Sequence, residues 1–258
     1  MSVDGLSGDL LVGAAGFVAG AVNAIAGGGT LVSFPALLAV GNSALTANIT
    51  NSVGLLAGYL GGSVAYRPEL QGQRHRVVRL GLAGVVGGVG GALLLVYTPS
   101  DAFRALVPYL VLFACALVAV QPRLAQWVAK RRGERRVGVD DVPIGAFIAV
   151  MLGGVYGAYF GGALGVVLLA VFGILLDDGL QRLNALKGVI SLIVNGVAVV
   201  IFLFSGHIAW VDAAILAVTA YAGATLGVRI ARRLSETVLR IAVIVFGTAV
   251  AGILIATG

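Results

Sequence analysis

Charge is what this chain lacks most. Only 11% of its 258 residues are Asp, Glu, Lys or Arg, against about 25% in ordinary soluble domains. So few ionic side chains cannot cover a water-facing surface of this size, which excludes a soluble globule. Cysteine is nearly missing as well. Cys115 stands alone, inside the apolar run of residues 110–120, so no internal disulfide can form and the residue reads as a small apolar filler. The only histidines, His75 and His207, fall in or beside connections, and no His/Cys/Asp/Glu group has metal-ligand spacing. Acidic residues are absent from the apolar cores apart from Asp212, just after Trp210. These absences leave no acid, base or metal set for a membrane-embedded enzyme, and neither a cofactor nor a metal is expected. They also leave no buried carboxylate for proton or sodium coupling, so the coupling ion is unassigned, although backbone carbonyls can bind Na⁺. Residues 1–10 hold Asp4 and Asp9 but no Lys or Arg. The basic leader of a cleavable secretory signal is therefore not evident, and the first apolar segment is expected to stay in place.

What the chain has in excess is apolar length. Hydrophobic residues make up 59% of it, and the mean hydropathy is +1.04, the composition of a polytopic α-helical membrane protein. A single membrane domain spanning 1–258 is expected, with no room for a separate soluble one. The net charge of +6 gathers in the connections, as the positive-inside rule expects. Residues 121–141 are the most polar stretch, with Arg123, Lys130, Arg131, Arg132, Arg135 and Arg136 against Glu134, Asp140 and Asp141. They read as a cytoplasmic loop near anionic lipid and not as a nucleic-acid site.

The apolar run over residues 10–40 is broken by Gly27, Gly28 and Gly29, leaving 17 residues before the break and 11 after it. A straight crossing needs about 20, and freed backbone groups cannot face hydrocarbon, so such a break must be buried in protein or line a watery cavity. A related break at Gly161 and Gly162 follows 134 residues later. After each comes an Asn-bearing segment (44–66, then 179–205), a Gly-xxx-Gly segment (80–97, then 210–231) and a final apolar segment (103–120, then 238–256). A 136-residue step matches Asn48 with Asn184, Asn51 with Lys187, Gly87 with Gly223 and Gly91 with Gly227. Two repeats are thus predicted, about 10–122 and about 142–256, joined by the basic linker 123–141. The basic stretches 67–79 and 123–141 can share one side. Arg229, Arg232 and Arg233 join them only if each broken segment makes an even number of crossings, as a re-entrant hairpin would. The prediction is an all-α polytopic membrane protein of two inverted repeats, with the N-terminus outside and the central loop cytoplasmic.

Paired Gly-interrupted segments point to a transporter's binding site. A helix starting after Gly27–Gly29, or after Gly161 and Gly162, offers unpaired N–H groups and the positive end of its dipole to an anion. Thr30 and Ser33 add hydroxyls, and Asn48, Asn51, Ser52 and Asn184 add further polar groups. Lys187 is one of only two lysines, the other being Lys130 in the loop. Its functional reading is a fixed positive charge for the substrate, and its bland reading is a lysine snorkelling to the headgroups. Asp177 and Asp178 read as caps for the helix that follows. For Gly16, Gly20, Gly54, Gly58, Gly84, Gly88, Gly223 and Gly227, close helix packing is the expected role.

The motifs Gly20-x-x-Asn23-Ala-Ile-Ala-Gly-Gly-Gly-Thr-Leu-x-Ser-x-Pro35, Ala47-Asn-x-Thr-Asn-Ser52, Gly161-Gly-Ala-Leu-Gly165 and Asn184-Ala-x-Lys187 together resemble the sulfite exporter TauE/SafE family of membrane permeases. The resemblance runs over nearly the whole chain. It implies transport of sulfur-containing oxyanions such as sulfite or organosulfonates, generally across a bacterial inner membrane. The expected partners are a small anionic substrate and the lipid bilayer, with no nucleic acid, and a homo-oligomer is compatible with the sequence. The competing classes are a transporter for another small organic anion and a membrane scaffold or assembly factor in which the glycines serve packing alone.

Overall fold

The computed structural model describes residues 5–25, 27–131 and 142–231. Among the described residues every regular element is helical. Helices α1 (Leu6–Ile25), α2 (Thr30–Ala39), α3 (Ala44–Ala65), α4 (Arg74–Tyr97) and α5 (Ser100–Arg131) form the first group, with a 3₁₀ turn at Arg67–Leu70. Helices α6 (Ile144–Tyr159), α7 (Leu164–Leu175), α8 (Leu180–Phe202) and α9 (Trp210–Ala231) follow. The segment predicted at 238–256 and the core of the basic linker lie outside the described residues, as do Arg232 and Arg233.

Among the described residues five helices, α1, α4, α5, α8 and α9, are long and apolar enough to cross a membrane. Helix α3 matches them in length, but Asn48, Thr50, Asn51 and Ser52 lower its hydropathy. All four are buried, so protein and not lipid surrounds them. Outward-facing Leu82, Val86, Tyr109, Leu152 and Val218 supply the apolar exterior instead.

Two boundaries differ from the sequence reading. Residues 74–79, read as connection, already belong to α4, and α5 runs on to Arg131 through what was read as linker. In both cases basic side chains extend a helix beyond its apolar window, since Arg and Lys are good helix formers. Pro143 precedes the first residue of α6, and Ser43 caps α3 by accepting from the Thr46 N–H.

The glycines place the helices against one another. A side chain at Gly87 would overlap the Met151 carbonyl, and one at Gly91 the Val155 carbonyl, so α4 lies backbone-to-backbone on α6. Gly223 is set against Phe17 and Gly227 against Ala21 in the same way, joining α9 to α1. Within each pair the residue numbers rise together, so the helices run parallel. Gly54 faces Leu216 and Gly58 faces Ala220, which makes α3 parallel to α9. Helix α7 instead runs back along α6, with Gly157 against Leu164, Gly153 against Val167 and Gly145 against Leu175.

Loops tie the ends. Asn42, following α2, donates to Asp212 at the start of α9 (2.7 Å). Asp178, following α7, pairs with Arg76 near the start of α4 (2.7 Å) and with Arg182 (2.8 Å). The Gly179 N–H does reach Asp178 Oδ1, but the larger task of that carboxylate is to join the 67–79 region to the start of α8.

Candidate substrate site

Helix α1 ends at Ile25, and the chain turns through Gly27 and Gly28, both with positive φ (85° and 96°), before α2 begins at Thr30. Only glycine reaches that conformation without strain. It is needed here for a second reason, because a Cβ on Gly27 would lie 2.8 Å from the Gly165 Cα. The second break is close by, with the Cβ position of Gly161 3.5 Å from Thr30 Oγ1. The two interruptions therefore touch. Asn23 folds the first one back, its Oδ1 accepting from the Gly29 N–H at 2.7 Å, while the Gly27 N–H bonds to the Val22 carbonyl at 3.0 Å. Two of the donors expected to face an anion are thus engaged by the turn itself.

Two polar clusters surround the breaks. In the first, Asn51 Nδ2 donates to Thr30 Oγ1 (3.2 Å) and Ser33 donates to Asn51 Oδ1, all three side chains being buried. In the second, the Lys187 ammonium donates to the Asn23 carbonyl (3.2 Å) in the last turn of α1. The negative end of a helix dipole and its unsatisfied carbonyls attract a cation there. Lys187 is only 2% exposed, so the snorkelling reading fails. Asn184 Nδ2, one turn before it on α8, donates to the Ala24 carbonyl (3.2 Å) and to Tyr66 Oη (2.9 Å). Its counterpart Asn48 donates to the Tyr159 carbonyl (2.9 Å). Each asparagine thus serves the final turn of the other group's broken helix.

Between α1, α3 and α8 lies a cavity of about 10 Å³, lined by Asn23, Ala24, Gly58, Tyr59, Gly62, Tyr66, Asn184, Lys187 and Gly188. That is space for about one water. Among the described residues that line it, Lys187 alone is charged.

A family model for the sulfite exporter TauE/SafE matches residues 12–254. The chain belongs to the TauE/SafE family. It is 27% identical over 235 residues to the Escherichia coli K12 "Probable membrane transporter protein YfcA", an overlap covering 90% of this chain and 84% of that one. "Probable membrane transporter protein ORF9" of a Sinorhizobium species is 27% identical over 92% of this chain and 88% of its own. A "Probable membrane transporter protein" of Haemophilus influenzae is 26% identical over 89% and 88%. No solved structure matches significantly.

Of the residues singled out in this TauE/SafE chain, Asn184 and Lys187 line the cavity. Gly27, Gly28, Gly29, Thr30, Ser33 and Asn51 build the first turn and its cluster. Gly161 and Gly162 form the second turn, where a Cβ on Gly162 would meet the Phe160 ring. Asn48 serves the end of α6, and Ser52 donates back to the Asn48 carbonyl. Sequence reasoning missed Asn23, Tyr59 and Tyr66. Asn23 stood in the quoted motif, four residues before the glycines. The tyrosines carried no signal beyond being polar-tipped aromatics on α3 and at its end.

Proposed function

We propose that this TauE/SafE-family protein is a secondary permease for a small sulfur-containing oxyanion, sulfite or an organosulfonate, bound beside Lys187. The carrying observation is a buried ammonium lining a cavity next to two touching helix breaks. Lys187 is the one charged group among the described residues that line this cavity, and an ammonium there matches an anionic substrate through charge-assisted hydrogen bonds. The names of the family and of the three relatives support the transport part of the reading. A cavity of about 10 Å³ is smaller than any such anion, so substrate entry requires the helix pairs to separate.

The inverted-repeat arrangement belongs to the same proposal. Its support is reciprocity: α4 packs on α6 as α9 packs on α1, and Asn48 and Asn184 reach across in opposite senses. The two end contacts, Asn42 with Asp212 and Asp178 with Arg76, are also related by the 136-residue step. Helices α3 and α9 end, and α4 and α8 begin, at the side bearing Arg67, Arg74, Arg79, Arg182 and Arg229, whereas Asp9, Asp101 and Asp212 lie toward the other side. The proposal takes the first side as cytoplasmic by the positive-inside rule and, from the bacterial relatives, the membrane as a bacterial inner membrane.

Replacing Lys187 by Gln tests the reading. A charge-assisted hydrogen bond contributes about 1.5–3 kcal/mol, so Lys187→Gln weakens sulfite or sulfonate binding by about tenfold or more in proteoliposomes, while Lys130→Gln binds normally. Equal binding by Lys187→Gln at equal membrane expression removes the ammonium from the site. Absence of transport for every anion tried favours the scaffold class.

A further inference from the structure

Resting on the proposed sulfur-oxyanion reading, we infer that the bound species is a monoanion bearing its own hydrogen-bond donor, with Asn184 Oδ1 as the acceptor that selects it. Asn184 is 7% exposed and lines the cavity beside Lys187. Its amide orientation is dictated by its neighbours. Nδ2 must face the Ala24 carbonyl, which can only accept, and it also reaches Tyr66 Oη. Oδ1 is thereby turned to the remaining side, where it is buried and has no partner among the described residues.

A buried acceptor without a partner is costly, and in a cavity of about 10 Å³ one water can relieve it. A substrate displacing that water restores the bond only if it brings an O–H or N–H of its own. An acceptor-only anion would instead bring a lone pair against Oδ1. The charge count points the same way, because the cavity presents one ammonium, Lys187, and a second negative charge would be buried without a matching cation. The fitting class is a singly charged sulfur oxyanion with a hydroxyl, such as hydrogensulfite or a hydroxyalkanesulfonate. Sites built to hydrogen-bond a substrate hydroxyl reject the analogue lacking it, whereas an apolar pocket discriminates the pair weakly.

The test compares two near-isosteres, 2-hydroxyethanesulfonate and 1-propanesulfonate, by calorimetric binding to the full-length purified protein. The unaltered protein is expected to prefer the hydroxylated ligand by about tenfold. In Asn184→Ala the ratio collapses toward one, whereas Tyr66→Phe, which leaves Oδ1 in place, retains the preference. Equal affinity of the two ligands for the unaltered protein overturns the inference while leaving the anion site standing. A preference that survives Asn184→Ala overturns the role of Asn184. If neither ligand nor sulfite binds, the underlying sulfur-oxyanion reading falls with it. Should Asn184→Ala fail to insert, the isostere pair on the unaltered protein still decides.

Discussion

At Ala163 the chain takes φ 107°, a left-handed value that costs an L-residue about 1–2 kcal/mol. The 134-residue step of the broken segments pairs this position with Gly29, whose φ is −57°, so the two breaks differ in backbone here and the second carries an alanine where its own φ would favour glycine. Ala163→Gly is therefore expected to raise the unfolding midpoint in detergent, with a gain of about 1 kcal/mol. Gly27 is the opposite case. A Cβ there meets both a positive φ and the Gly165 backbone at 2.8 Å, and neither backbone can yield without separating the breaks. Gly27→Ala should cost at least about 2 kcal/mol and abolish uptake even where the protein still reaches the membrane. Retention of parental uptake would show that the contact between the breaks is not required.

Broken helices expose final-turn carbonyls inside the protein, where water is not freely available to satisfy them. In this molecule asparagines from distant elements serve those carbonyls, Asn184 for α1 and Asn48 for α6. Asn48→Ala leaves the Tyr159 carbonyl without that donor, but it also deletes Asn48 Oδ1, which has no partner among the described residues. The two effects partly offset, and the net loss should be about 1 kcal/mol. Thermal unfolding measures that sum, and hydrogen exchange should locate the loosening at the last turn of α6. The asymmetry between the breaks is chemical. The position that carries an ammonium on α8 carries an amide on α3, and Asn51 bonds to Thr30 and Ser33 of its own hairpin. The sequence flagged both positions through one alignment step without indicating that their side chains turn to different neighbours.

At the scale of the whole molecule, the two end contacts hold the groups of helices together by different chemistry. Burial tends to raise the Asp178 carboxyl, but hydrogen bonds from Arg182 and the Gly179 N–H, with the charges of Arg182 and Arg76, outweigh it and leave the group below its ordinary value. A carboxyl whose folded-state pKa is depressed contributes its full stability above the unfolded value, about pH 4, and loses it as pH falls through the lower folded value. The melting temperature of the parent should therefore converge on that of Asp178→Asn in acid and exceed it near neutrality. A gap that does not narrow in acid would show that the ion pairs are not its source. The contact between Asn42 and Asp212 has a neutral donor and should tolerate raised salt better. Orientation is checked by labelling: a cysteine introduced at Gln71 should react only from the cytoplasmic face, and one at Gly206 only from outside.

Local chemistry made much of this legible in the sequence. Apolar length and scarce charge declared a helical membrane protein, glycines stand at the turns between α1 and α2 and between α6 and α7, and Asn48, Asn51 and Ser52 were picked out as polar groups within an apolar chain. Those properties are written within one helix or one turn. The partners were not legible, because they depend on the tilt and rotation of whole helices. Nothing local says that Asn184 meets Ala24 across 160 positions, that Lys187 meets Asn23 across 164, or that Tyr59 and Tyr66 share their cavity. Glycine seams bring α1 against α9 and α4 against α6 closely enough for backbones to touch. Only that packing turns an expected row of N–H donors into a turn that uses two of them itself, with Lys187 as the charged group lining the cavity beside it.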